Sequence, residues 1–127
     1  MIVVDASVLI AHLDERNALH ARAGDALLEA ADRRLGCSPI TLAEVLVGPA
    51  RLDRLDAARA ALTELEVEEI PLGEDAPVRL AALRAASGLK MPNCCVLLAA
   101  QDAAADAVLT FDDALAREVQ RLGLRAG

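Results

Sequence analysis

Four oxygen-bearing side chains, Asp5, Glu44, Asn93 and Asp112, stand where they could act together. Asp5 ends the apolar run Ile2-Val3-Val4, and Asp112 follows Val108-Leu109-Thr110, two runs that read as strands. In parallel α/β sheets ligands sit outside the carboxyl ends of the strands, so both acids fall on that rim. Glu44 lies on the first turns of the helix expected after a strand at Leu35-Gly36-Cys37, and Asn93 at the start of a helix from Cys94 to Ala105. Carboxylates brought together repel, and protons or cations must neutralise them. Hard oxygen donors without nitrogen or sulfur favour Mg²⁺ or Mn²⁺ over zinc. Such an ion lowers the pKa of bound water and screens a phosphodiester during in-line attack, so phosphodiester hydrolysis is the chemistry this set suits. Each residue also has a structural reading. Asp5 and Asn93 suit helix N-caps, Glu44 the capping box of Thr41, and Asp112 and Asp113 the positive end of a helix.

The elements that must position these residues alternate along the chain. Strands are expected at Ile2–Val4, Leu35–Cys37, Val67–Leu72 and Ala107–Thr110. Between them, apolar residues at helical spacing predict helices over Ser7–Leu13, Ala18–Ala31, Leu42–Val47, Arg51–Glu64, Glu74–Ala86 and Cys94–Ala105, with a last helix at Asp112–Leu122. Gly48-Pro49 reads as the stop of the third helix, and Gly88 as the C-terminal punctuation of the fifth. Strand–helix alternation without linker, repeat or low-complexity tract predicts one α/β domain over residues 1–127, a short central parallel sheet flanked by helices.

Composition sets limits on partners. The 127 residues are 55% hydrophobic, with 20 acids against 13 bases and a formal charge of -7, which argues against holding nucleic acid through overall charge. One Phe and no Trp or Tyr argue against a stacking platform for single-stranded bases. No apolar stretch approaches the ~20 residues of a membrane span, and the first residues lack the pattern of a signal peptide, so a cytoplasmic protein is expected. Cys37, Cys94 and Cys95 have neither disulfide-like nor zinc-like spacing and read as buried reduced thiols.

Taken together, four segments resemble the PIN-domain family, and within it the VapC ribonuclease toxins of bacterial toxin–antitoxin pairs. Val3-Val4-Asp5-Ala6-Ser7-Val8-Leu9 is similar to the family's opening strand and first acid. Ser38-Pro39-Ile40-Thr41-Leu42-Ala43-Glu44-Val45 is similar to its second motif, Met91-Pro92-Asn93-Cys94-Cys95 to its third, and Leu109-Thr110-Phe111-Asp112 to its fourth. Each motif is loose alone, and the ordered set is specific. The resemblance implies a three-layer α/β/α fold and a Mg²⁺- or Mn²⁺-dependent endoribonuclease that cuts structured RNA such as tRNA or rRNA. It also implies a VapB-type antitoxin that covers the acidic site. Asp5, Glu44 and Asp112 would then be metal ligands or water activators, Ser7 would support Asp5, and Asp113 would be a fallback for Asp112.

Position 93 departs from the family, whose third acid is an Asp where this chain has Asn93. A neutral amide of nearly the same shape should weaken divalent binding while keeping the fold. A naturally weak member and a silenced copy both fit that exchange. The alternative function is a PIN-fold interaction module that works by binding a partner; a phosphoacceptor domain is disfavoured because Asp5-Ala6-Ser7 lacks a second acid. His12 and His20 have no triad partners in the sequence, and Arg51, Arg54 and Arg59 read as a solvated face. Lys90, the chain's single lysine, is the basic residue nearest Asn93 in sequence and the candidate phosphate contact. A homodimer related by two-fold symmetry is the expected assembly.

Overall fold

The computed structural model describes all residues from Met1 to Gly127. Five short parallel strands form the sheet: β1 (Ile2–Val4), β2 (Leu35–Cys37), β3 (Val67–Glu69), β4 (Ala107–Leu109) and β5 (Arg125–Ala126), in the spatial order β3-β2-β1-β4-β5. The helices are α1 (Ala6–Leu13), α2 (His20–Glu29), α3 (Pro39–Arg51), α4 (Leu55–Glu64), α5 (Ala76–Ser87), α6 (Met91–Asp102) and α7 (Asp113–Arg121). From β1 the chain builds outward through β2 and β3, then returns to place β4 on the other side of β1. The order therefore reverses between β1 and β4, where the crossovers part and leave a crevice at the strands' carboxyl ends. Val3 stands opposite Val108 and Val4 opposite Leu109, so the residues following each strand emerge side by side.

Strand alternation divides the core into two. Ile2 and Val4 face one cluster with Leu35, Cys37 and Leu109, completed by Val8 and Leu9 of α1, Ala23 and Leu27 of α2, Val45 of α3 and Leu62 of α4. Val3 and Val108 face the opposite cluster with α6, Leu115 and Val119 of α7, while Leu80 and Leu83 of α5 pack at its border. This is the parallel sheet flanked by helices expected from the alternation of elements, in the three-layer α/β/α form that the family resemblance implies. Residues Cys94 through Ala100 of α6 are all buried, and a helix covered on every side needs apolar residues all round. The three cysteines are free and buried. Burial pushes the Cys37 thiol up to about 12, and its Sγ donates to the Val4 carbonyl at 3.2 Å.

Several local expectations are corrected. The third helix begins at Pro39 and passes through Gly48-Pro49 to Arg51 instead of stopping at Val47. A proline disfavours helical geometry before it by crowding that residue's Cβ, and Gly48 has none. Thr41 is not the N-cap: Ser38 takes that place, its Oγ accepting from the Ile40 N–H at 3.1 Å with Pro39 in the first turn. Asn93 is not an N-cap either, since α6 starts two residues before it with Lys90 as the cap residue. Pro92 lies in that first turn, where its missing N–H costs nothing. β3 ends at Glu69, short of Leu72, and β5 was unforeseen because two residues carry no periodicity. Gly88 does close α5, in the left-handed conformation at φ 72°.

The turn after α4 places a non-glycine residue in that same conformation, Glu66 at φ 56°, its N–H donating to the Thr63 carbonyl at 2.9 Å. An L-residue there costs about 1 kcal/mol that glycine avoids. Glu66→Gly should therefore raise the urea midpoint by the equivalent of about 1 kcal/mol; an unchanged or lowered midpoint would contradict this account of the turn.

Candidate active site

Three polar or charged residues are buried in the whole chain: Asp5, Ser38 and Thr41. All three follow the carboxyl ends of β1 and β2, next to the crevice where the strand order reverses. Asp5 is only 5% exposed, and a carboxylate is kept in such a place only when it is hydrogen-bonded or paired. It occupies the N-cap position of α1, but its side chain does not cap the helix. Instead its Oδ2 accepts from the Ser7 hydroxyl at 2.7 Å and from the Thr110 hydroxyl at 2.8 Å. Both donors go to one oxygen, which leaves Oδ1 without a protein donor.

The same two hydroxyls hold the loop after β4. Ser7 Oγ accepts from the Phe111 N–H at 3.0 Å, and Thr110 Oγ1 accepts from the Asp112 N–H at 3.0 Å. Asp112 then caps α7, its Oδ1 accepting from the Leu115 N–H at 2.9 Å. Its Oδ2 accepts from the Asn93 side-chain amide at 3.4 Å. A continuous network thus runs from Asp5 through Thr110 to Asp112 and Asn93, joining the ends of β1 and β4 to the first turn of α6. Glu44 approaches from α3. Its carboxyl is pushed up, first by partial burial and then by the neighbouring Asp5 carboxylate.

The four residues expected to converge are therefore grouped on one rim: Asp112 and Asn93 in direct contact, Asp5 linked to them through Thr110, and Glu44 within electrostatic reach of Asp5. Ser7 supports Asp5 as expected. Asp113 is exposed in the first turn of α7 and makes no hydrogen bond to the network. Lys90 is exposed at the start of α6 without an ion pair. His12 and His20 stack on each other 6.2 Å apart, and His20 Nδ1 donates to the Ala11 carbonyl at 2.9 Å. Thr110 is the residue that sequence reasoning missed as part of the site. Its signal was the two-residue offset Thr110-x-Asp112, which mirrors Asp5-x-Ser7.

The donors are oxygens throughout, which suits a hard divalent cation in ligand type. In charge the set falls short. No group of three His, Cys, Asp or Glu side chains is placed to hold one metal ion. Position 93 contributes an amide whose nitrogen faces Asp112, so one pair within the cluster is neutral–acidic rather than acidic–acidic. Asp5 and Glu44 remain as an interacting carboxylate pair, and a cation between them would offset the burial and then the Asp5 repulsion that raise Glu44.

A family model described as the PIN domain matches residues 2–120. Among solved structures, a toxin–antitoxin complex from Klebsiella pneumoniae is 28% identical, with 88% of this chain and 87% of that chain covered and a TM-score of 0.74. VapC20 of Mycobacterium tuberculosis, a toxin that cleaves the sarcin–ricin loop, aligns over 93% of this chain and 95% of its own at 16% identity, with a TM-score of 0.78. VapBC2 of Rickettsia felis, bound to a DNA fragment from its promoter, covers 100% of this chain and 98% of its own at 14% identity and a TM-score of 0.71. No curated protein matches the chain.

The raised Glu44 carboxyl fixes the sign of a pH effect. Its folded form holds a proton more tightly than the unfolded chain does, so ionising it opposes folding, and the cost disappears as pH falls through its titration. Glu44→Gln should melt at a higher temperature than the parent at neutral pH without divalent ions, and the two should converge on acidification. Mg²⁺ should narrow the gap by stabilising the parent. Equal melting temperatures at neutral pH would show that neither burial nor Asp5 penalises the ionised Glu44.

Proposed function

The chain belongs to the PIN-domain family, and from that premise we propose that it is a VapC-type toxin. Its chemistry is the divalent-metal-dependent hydrolysis of phosphodiester bonds in structured RNA such as tRNA or rRNA, which would halt translation. A VapB-type antitoxin is its partner in this reading, and a homodimer its assembly. Support comes from the family match and from structural neighbours described as toxins or toxin–antitoxin complexes. The observation that carries the reading is the network of Asp5, Ser7, Thr110, Asp112 and Asn93, with Glu44 beside it. No helix is long and apolar enough to cross a membrane.

Asp5 and Glu44 are the residues that would hold Mg²⁺ or Mn²⁺, with Asp112 and the Asn93 amide adjoining them. The ion supplies a water of lowered pKa and screens the charge that develops on the phosphate. The chain's own groups do the rest. Ser7 and Thr110 hold the Asp5 carboxylate in one orientation, and Asp112 fixes the start of α7. Glu44, beside Asp5 on α3, would share the ion with it. As the water oxygen bonds to phosphorus, the bond to the departing ribose oxygen breaks, and that oxygen takes up a proton from solvent.

Asn93 makes this copy a weak enzyme in the same reading. With Asp at position 93, a second carboxylate would face Asp112 across the 3.4 Å now spanned by the amide, a pairing that only a proton or cation can stabilise. The interaction-module reading has one observation in its favour, the absence of a three-acid group. Asn93→Asp separates the two. It should gain Mg²⁺- or Mn²⁺-dependent cleavage of structured RNA by about tenfold or more, the equivalent of ~1.4 kcal/mol at the transition state. Asp5→Ala added to that variant should abolish the gain. Equal activity in parent and variant with metal present would sink the role of position 93, and cleavage that survives loss of Asp5 would point to a contaminating nuclease.

A further inference from the structure

Arg22, on the first turn of α2, stands over the ring of Phe111 with its guanidinium carbon 4.8 Å from the ring centroid. Phe111 is the single aromatic residue of the chain and directly precedes Asp112. Its N–H is held by Ser7, whose hydroxyl also donates to Asp5. A guanidinium is thus fixed at the edge of the acidic rim through a ring that the network itself positions. Arg22 is exposed and belongs to none of the chain's ion pairs, although the chain carries 20 acids. By contrast Arg33, Arg34, Arg79 and Arg121 are each matched to a carboxylate.

Stacking occupies the face of a guanidinium and leaves its in-plane N–H donors open, in a fork that fits two phosphate oxygens. An RNA strand crossing the acidic rim carries further phosphates on either side of the one being cut. Those anions meet a surface of net negative charge, and Arg22 is an unpaired cation held beside it by the Phe111 ring. We propose that Arg22, perched on Phe111, binds a backbone phosphate flanking the scissile one and so positions the RNA strand against Asp5, Glu44 and Asp112. The assignment rests on the ribonuclease reading and adds a second candidate phosphate contact to Lys90. A carboxylate of a protein partner is the competing ligand.

The test is fluorescence anisotropy of a labelled RNA hairpin with the full chain, in Ca²⁺ so that the acids are screened, over a series of salt concentrations. Arg22→Ala should bind about five- to tenfold more weakly, and the slope of log affinity against log salt should fall by about 0.7 to 0.9, the signature of one lost phosphate contact. Arg22→Lys should keep the parent's slope at reduced affinity, because the charge remains and the stacked fork does not. Phe111→Leu, which removes the perch, should weaken binding in the same direction as Arg22→Ala. If the parent binds the hairpin and Arg22→Ala binds it equally well, or more weakly with an unchanged slope, the phosphate assignment is overturned while the ribonuclease reading stands. If the parent binds no RNA, both are overturned.

Discussion

A carboxylate that is 5% exposed cannot stand unaided, and the arrangement of this rim follows from how Asp5 is satisfied. The two hydroxyls on its Oδ2 come from different elements, Ser7 in α1 and Thr110 after β4. Each hydroxyl accepts in turn from a backbone N–H of the loop that carries Asp112. One buried charge thereby ties two crossovers together at the point where the strand order reverses. Beneath it, the pairing of Val3 with Val108 and Val4 with Leu109 fixes the height at which these groups emerge. Removing Asp5 would leave two hydroxyls without an acceptor and loosen the loop before α7.

Charge decides what the rim can do next. A formal charge of -7 reads as hostile to nucleic acid when spread over a surface. Part of it is concentrated where Glu44, raised first by burial, neighbours Asp5, and a divalent ion at such a pair would invert the local sign. Asn93 offsets that concentration by a different route, giving Asp112 an amide donor where a second carboxylate would demand a cation. The chain therefore keeps the geometry of the cluster with less of its charge. Arg22 adds a fixed positive group beside the rim, and it does so without neutralising an acid, because the aromatic ring supplies its support.

Much of this was legible in the sequence because strands and acids are coupled by period and position. A β-branched run that ends in an acid places that acid on the rim whatever the details of the helices, which is why Asp5 and Asp112 fall where expected. The buried helix α6 was equally legible, since no exposed helix is apolar on every side. What escaped was local competition. Ser38 outcompetes Thr41 as the cap because Pro39 prefers the first turn, and the helix crosses Gly48-Pro49 because the residue before the proline has no Cβ to clash. The offset Thr110-x-Asp112 hinted at a hydroxyl beside the second acid, but its bond to Asp5 and the contact between Arg22 and Phe111 depend on tertiary placement across 105 and 89 residues of chain, which no spacing rule reaches.

The central claim is that this rim is a divalent-cation site weakened at one position, and direct ion binding tests it without relying on any substrate. Electron paramagnetic resonance of Mn²⁺ titrated with the Asn93→Asp chain should show tight immobilisation of the ion, weaker immobilisation by the parent, and none when Asp5→Asn is added. Mn²⁺ that binds all three chains alike would contradict the account.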